Sequence, residues 1–98
     1  MSGERPENMI LIGQKPVMNY VTATLTQFER GSNEVILKAR GKSISRAVDT
    51  AEILRRSFMT DAFVKEVKIT TESFTLDNRT KNVSAIEIIL GRKPSKQS

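Results

Sequence analysis

Twice along this chain an apolar, β-prone run stops at a glycine, and a helical apolar spacing begins within a few residues. The first run is Met9-Ile10-Leu11-Ile12, which reads as a buried strand ended by Gly13, with Pro16 opening the helical stretch. The second is Val35-Ile36-Leu37, which leads through Lys38, Ala39 and Arg40 to Gly41. Strand, helix, strand in that order packs a helix back on the sheet by a right-handed crossover. Two such units in succession place the C-terminal ends of strands one and two at the same sheet edge.

The periodicities fill in the rest. Val17, Val21, Leu25 and Phe28 recur at spacings of four, four and three, with Met18 beside them, which predicts one helical face. Pro16 suits the first turn of that helix, where its missing N–H costs nothing. Gly31 sits where a left-handed C-terminal cap is expected. Glu34 to Ala39 reads as a strand of two parities, Val35, Leu37 and Ala39 against Ile36, Lys38 and Arg40. Ile44, Ala47, Val48, Ala51, Leu54 and Phe58 give a second helical stripe, with Ser43 as its N-cap. Glu52 is spaced to pair with Arg55 or Arg56.

From Phe63 onward the period is two. Val67, Ile69 and Thr71 alternate with Glu66, Lys68 and Thr70, and a second run from Val83 to Leu90 carries Ile86, Ile88 and Leu90 on one parity. Between them Asp77 to Lys81 is a polar turn cluster, so the segment predicts a long β-hairpin with a basic tip. The order is β-α-β-α-β-β: an α+β, two-layer sandwich with two helices on one face of a mixed four-stranded sheet. Residues 9–91 form the domain. Residues 1–8 read as a flexible arm and 92–98 as a basic flexible tail.

Composition excludes several functions. The 98 residues hold neither cysteine nor histidine. Disulfides, thiolate metal sites and cysteine nucleophiles are gone, together with the usual general base near neutral pH. Asp49, Glu52, Asp61 and Asp77 are scattered helix or turn residues rather than a paired acid–base site. Gly41-Lys42-Ser43 has the look of a phosphate-binding loop, but the glycine that motif needs five residues earlier is Ile36. No apolar run approaches the ~18 residues of a membrane span, and the first residues lack the apolar core of a signal peptide. The expectation is a soluble, intracellular protein without cofactors.

What remains is charge. Lys and Arg number 16 against 11 Asp and Glu, a net +5, a balance that attracts polyanions. Lys38, Arg40, Lys42 and Arg46 straddle Gly41 where strand turns to helix. That junction aims unpaired N–H groups and a helix dipole outward. Lys15 stands at the equivalent place after Gly13. These cations are expected to converge at one sheet edge, where ligands of such sheets collect, with Arg79 and Lys81 added on the projecting hairpin. A row of cations plus a basic arm suits an extended polyanion. The aromatics do not form a base-stacking sheet. Tyr20, Phe28 and Phe58 fall on helical stripes and read as core. Phe58, beside Met59 near the end of helix two, has a second reading as an exposed interface anchor.

Two segments carry a resemblance. Ile10 to Val21, Ile-Leu-Ile-Gly-Gln-Lys-Pro-Val-Met-Asn-Tyr-Val, and Ile36 to Asp49, Ile-Leu-Lys-Ala-Arg-Gly-Lys-Ser-Ile-Ser-Arg-Ala-Val-Asp, closely resemble the Alba family of archaeal chromatin proteins. The match runs from about Asn8 to Arg92. It implies a fold like the C-terminal domain of translation initiation factor three. It further implies a homodimer that binds double-stranded DNA, and RNA, with little sequence preference. By position the resemblance puts Gln14, Lys15, Lys38, Arg40 and Lys42 on the nucleic-acid face and gives Arg79 and Lys81 to arms that embrace the minor groove. It also makes Phe58 a contact between dimers on DNA. The family loop commonly reads Gly-Lys-Lys-Pro, its first lysine linked to acetylation control. Gln14 occupies that place here and removes a switch at that residue.

The reading is a sequence-tolerant, chromosome-associated cytoplasmic protein that coats or compacts DNA. Its rivals are an RNA chaperone or subunit of an RNA-processing particle, and an enzyme such as a nuclease, which the absent histidines and scattered acids disfavour.

Overall fold

The computed structural model describes residues 8–94. Strand β1 (Met9–Leu11) leads to helix α1 (Val17–Glu29), then to strand β2 (Glu34–Arg40). A 3₁₀ turn (Gly41–Ser43) opens helix α2 (Ile44–Ile53), which runs on into a π-helical turn (Leu54–Phe58). Strands β3 (Ala62–Leu76) and β4 (Arg79–Arg92) close the chain. The sheet order is β1-β2-β4-β3. β1 runs parallel to β2, and the other neighbours are antiparallel. This is the α+β sandwich and element order expected.

The core lies between the sheet and the helices. Val35, Leu37 and Ala39 of β2 are at most 3% exposed, as their parity predicts. Directly opposite stand Leu90, Ile88 and Ile86 of β4, and opposed residues share a face. Val21 and Phe28 of α1 and Ala47, Ala51 and Leu54 of the second helical run pack onto them. Thr24 and Thr50 are buried too. Each hydroxyl donates to the carbonyl four residues back, Tyr20 and Arg46, at 2.8 Å, so neither is an unpaired polar group.

Helix α1 ends as the sequence predicts. Gly31 has φ +106°; its N–H donates to the Phe28 carbonyl and that of Ser32 to Gln27, the paired bonds of a Schellman cap. Glu52 accepts from Arg55 (2.8 Å) and is ion-paired with Arg56 (3.0 Å).

Four expectations need correction. β1 is not a buried strand: it lies at the sheet edge, Leu11 is half-exposed, and only the following Ile12 is buried. Ser43 does not cap α2. It already has helical backbone angles inside the 3₁₀ turn, and its hydroxyl donates to the Gly13 carbonyl instead. The turn after β3 is only Asp77-Asn78, both at positive φ (49° and 63°), the geometry of a type I′ hairpin. Arg79 to Lys81 therefore sit in the β4 ladder, opposite Leu76, Thr75 and Phe74. Lastly, Val48 and Phe58 fall off the buried stripe, at 42% and 48% exposure. The expected arm and tail fall mostly in residues 1–7 and 95–98, outside the described residues. Asn8 is hydrogen-bonded to Glu34 and Ile36.

Register decides where the hairpin goes. β2 pairs with β4 only from Glu34↔Gly91 to Arg40↔Ala85. β3 and β4 continue alone through Leu76↔Arg79. Fifteen residues of β3 span about 50 Å at about 3.4 Å each, and the molecule measures 61 × 31 × 20 Å. The two-stranded ribbon thus projects past the C-terminal end of β2.

Leu37→Ala is expected to cost about 2–5 kcal/mol, because the fully buried side chain leaves a cavity between sheet and helices. Chemical denaturation checks it; a destabilisation below about 0.5 kcal/mol would contradict the packing described.

Candidate nucleic-acid interface

The parallel register Leu11↔Lys38 brings the loop after β1 beside the end of β2. Gly13 ties the two. Its N–H donates to the Tyr20 hydroxyl oxygen (2.9 Å), as does that of Lys15 (3.0 Å). Its carbonyl accepts from the Ser43 hydroxyl (3.2 Å) and the Arg46 guanidinium (3.0 Å). Tyr20 is buried, so a rigid helix fixes the loop that carries Gln14 and Lys15. Gly41, at φ +57°, turns β2 into the 3₁₀ segment, a backbone state that L side chains rarely adopt.

The result is an open groove of about 820 Å³, walled by Gly13, Gln14, Lys38, Arg40, Lys42 and Glu72, with Met9 and Leu11 on its floor. Gln14, Lys15 and Lys42 are exposed. Lys38 and Arg40 point to the sheet face that the helices leave open, opposite Glu87 and Ala85. The ladder carries that face onto the ribbon. Thr70, Glu72, Phe74 and Leu76 lie on it, opposite Ala85, Val83, Lys81 and Arg79. Lys38, Arg40, Lys81 and Arg79 therefore share one surface, running from the body to the ribbon tip. The ribbon's other face is neutral: Thr71, Ser73 and Thr75 oppose Ser84, Asn82 and Thr80.

The predicted residues do not all stand alike. Arg46 is spent on the Gly13 carbonyl and is half-buried. Its position is structural, at the rear of the loop. Lys38 and Arg40 are ion-paired. Arg40 meets Glu72 at 3.0 Å, and Lys38 lies 3.7 Å from Glu72 and 3.9 Å from Glu87. The Arg40 guanidinium carbon also sits 4.9 Å from the Phe74 ring centroid, a cation–π distance. Phe58 stands apart from this surface, at the end of the π-helical turn.

Sequence reasoning missed Tyr20, Glu72 and Phe74. Tyr20 reads as core by spacing, and its ring is core; only the fold reveals the hydroxyl's two bonds. Glu72 and Phe74 reach Arg40 from more than thirty residues away. The signal for them was strand parity combined with the β2–β4–β3 register, which the sequence does not fix.

Among the described residues, no three acids, histidines or cysteines cluster to hold a metal ion, and no helix is long and apolar enough to cross a membrane.

Similarity to known proteins agrees with this architecture. "DNA/RNA-binding protein Alba 1" of Archaeoglobus fulgidus is 59% identical over 87 residues, 89% of this chain and 98% of its own length. "DNA/RNA-binding protein Alba" of Methanothrix thermoacetophila is 52% identical over 86 residues, 88% of this chain and 97% of its own. The solved structure of Alba from Thermoplasma volcanium superposes with a TM-score of 0.82 at 50% identity, covering 87% of this chain and 100% of that one. The Alba family signature itself covers residues 8–75, and with that span and those identities the chain belongs to the Alba family.

Proposed function

We propose that this chain binds double-stranded DNA, and RNA, as a homodimer with little sequence preference, and that it coats or compacts chromosomal DNA in the cytoplasm. The observation that carries the reading is the single helix-free face on which Lys38, Arg40, Lys81 and Arg79 follow one another onto the ribbon. Gln14, Lys15 and Lys42 stand at its base. A curved groove of phosphates needs cations spread along a line rather than gathered in a pocket. The relatives' names, DNA/RNA-binding protein, support the same ligand class. Phosphate contacts fix position without reading bases, so the scaffold has little means of choosing a sequence.

The homodimer rests on β3. Val64, Val67 and Ile69 are 38%, 47% and 75% exposed. They belong to the helix-side parity, opposite Leu90, Ile88 and Ile86. The helices pack over the other three strands and leave this stripe to water. It carries no charge, so a second copy of the same stripe is its fitting cover. Phe58, a large exposed ring at the end of the π-helical turn, is the proposed contact between dimers on DNA.

An RNA chaperone or processing subunit is the competing reading, supported by the RNA half of the relatives' names. Duplex RNA bound more tightly than duplex DNA at equal salt would favour it.

A salt titration of duplex binding tests the main reading. With roughly 6–10 phosphates neutralised per dimer, raising salt from about 50 to 200 mM is expected to lower affinity on the order of 10³–10⁵-fold. A flat response would sink it. Lys15→Ala is expected to weaken binding to every sequence alike, with stability changed by less than about 0.5 kcal/mol.

Arg79→Ala with Lys81→Ala is expected to lower the salt slope by up to about 0.9 for each phosphate that the ribbon no longer neutralises, leaving sedimentation unchanged. An unaltered slope would show that the ribbon stays in solvent.

Ile69→Asp is expected to yield folded monomers in sedimentation, because the side chain is exposed in the single chain and a carboxylate on an apolar stripe opposes pairing. A dimer that survives the change would move the interface elsewhere.

A further inference from the structure

We infer that Glu72 is a built-in competitor for phosphate, and that it limits both the affinity and the long-range pull of this surface. The inference rests on the proposed nucleic-acid reading.

Glu72 lies in the middle of the helix-free face, one carboxylate oxygen 3.0 Å from Arg40 and the other 3.7 Å from Lys38. A phosphate bound by these two cations would take the same place and the same charge-assisted donors. Glu87 faces Lys38 from the other side at 3.9 Å. Lys38, Arg40, Glu72 and Glu87 together carry no net charge. The block that the sequence presents as its most basic is thus half neutralised before any ligand arrives.

Binding here is an exchange. Arg40 and Lys38 leave a carboxylate for a phosphate, and the freed carboxylate stays beside the incoming strand and repels it. The groups are only partly exposed, with Glu72 and Glu87 side chains at 29% and 30%, so water screens the repulsion incompletely. Two unit charges about 4 Å apart in water interact by about 1 kcal/mol, roughly a fivefold effect. Removing the Glu72 charge while keeping its shape is therefore expected to tighten binding about three- to tenfold per protomer.

The geometry also separates this role from scaffolding. Phe74 holds the Arg40 guanidinium at 4.9 Å without any carboxylate, and the β3–β4 ladder runs unbroken through Glu72↔Val83. Glu72→Gln keeps a hydrogen-bond acceptor for Arg40, so position is retained while charge is removed.

The experiment measures binding of a short labelled DNA duplex of mixed sequence across a salt series, with circular dichroism to confirm folding. Variants are Glu72→Gln, Glu87→Gln and the control Glu29→Gln, the same charge change at the exposed far end of α1. Each of the first two is repeated in a Lys38→Ala, Arg40→Ala background. Glu72→Gln is expected to bind about three- to tenfold tighter at about 50 mM salt, with a steeper slope. Glu87→Gln, at a residue ion-paired with Lys38 but not with Arg40, gives a smaller gain, and Glu29→Gln changes affinity less than about twofold. The gains disappear once Lys38 and Arg40 are gone. Glu72→Gln matching the Glu29→Gln control, binding more weakly than wild type, or keeping its gain without the two cations would overturn the inference. If the Lys38→Ala, Arg40→Ala protein binds as well as wild type, the face itself is not the interface and the proposed function falls with it. Weakened binding there, with no gain from Glu72→Gln, removes the inference alone.

Discussion

The backbone of one residue, Gly13, holds the site together. The Gly13 N–H is held by the hydroxyl of Tyr20 on α1, and its carbonyl by Ser43 and Arg46 at the start of α2. Each βα junction is thereby bolted to the other, across thirty residues of sequence. Parallel pairing of β1 with β2 brings the two loops to one edge; these side-chain bonds, with that of Lys15 to Tyr20, fix their relative height and angle. Half-buried bonds of this kind are worth about 1 kcal/mol each when made and more when one partner is left unpaired. Their larger consequence is positional, since Gln14, Lys15 and Lys42 all hang from segments that this glycine locks.

The charge of the chain is distributed by that architecture rather than by its sequence neighbourhoods. Arg55 and Arg56 pair with Glu52, Lys65 with Glu34, and Arg92 with Asp61. Arg46 is structural. Exposed surface pairs add little stability, but they remove cations from the outward field. Lys15 and Lys42 at the loops and Arg79 and Lys81 on the ribbon remain exposed. Among the described residues Lys68, opposite Glu87, Arg30 and Lys93 are exposed as well, so the loops and the arm hold four of the exposed cations that lie outside these ion pairs.

Much of the fold was legible because its periodicities agree with its tertiary demands. The parity of Val35, Leu37 and Ala39, the Gly31 cap and the Glu52 pairs all followed from spacing. The misses have physical causes. Ser43 looks like a cap because caps favour serine, but the 3₁₀ turn moved the helical start one turn earlier and freed the hydroxyl for Gly13. Arg79 to Lys81 look like a turn because they are polar. Yet two residues able to adopt positive φ suffice for a hairpin, so the ladder claims the rest. Val67 and Ile69 alternate as a half-buried strand should, and in the single chain they are exposed. The pattern was right about an apolar face and silent about which molecule covers it. Of the candidate site, the loop and β2 cations were legible as a convergent set. Their compensation by Glu72 was not, because contact across three strands depends on register.

The ribbon and the body cations also depend on one another. A two-stranded hairpin is marginal alone in water, and beyond Ala85 this one has no third strand among the described residues. Its type I′ turn and the Ser73 to Asn82 side-chain bond (2.7 Å) brace the outer part. The inner part is braced by Arg40, through Glu72 and the Phe74 ring, and by Val83, whose methyl lies 3.4 Å from where a side chain on Gly41 would begin. The same guanidinium that faces the proposed phosphate is thus the tether of the arm's base. If phosphate replaces Glu72 as its partner, the Phe74 contact still holds the ring against the body while the carboxylate contact is released. A residue change at Glu72 therefore touches both the proposed phosphate site and the bracing of the ribbon's base.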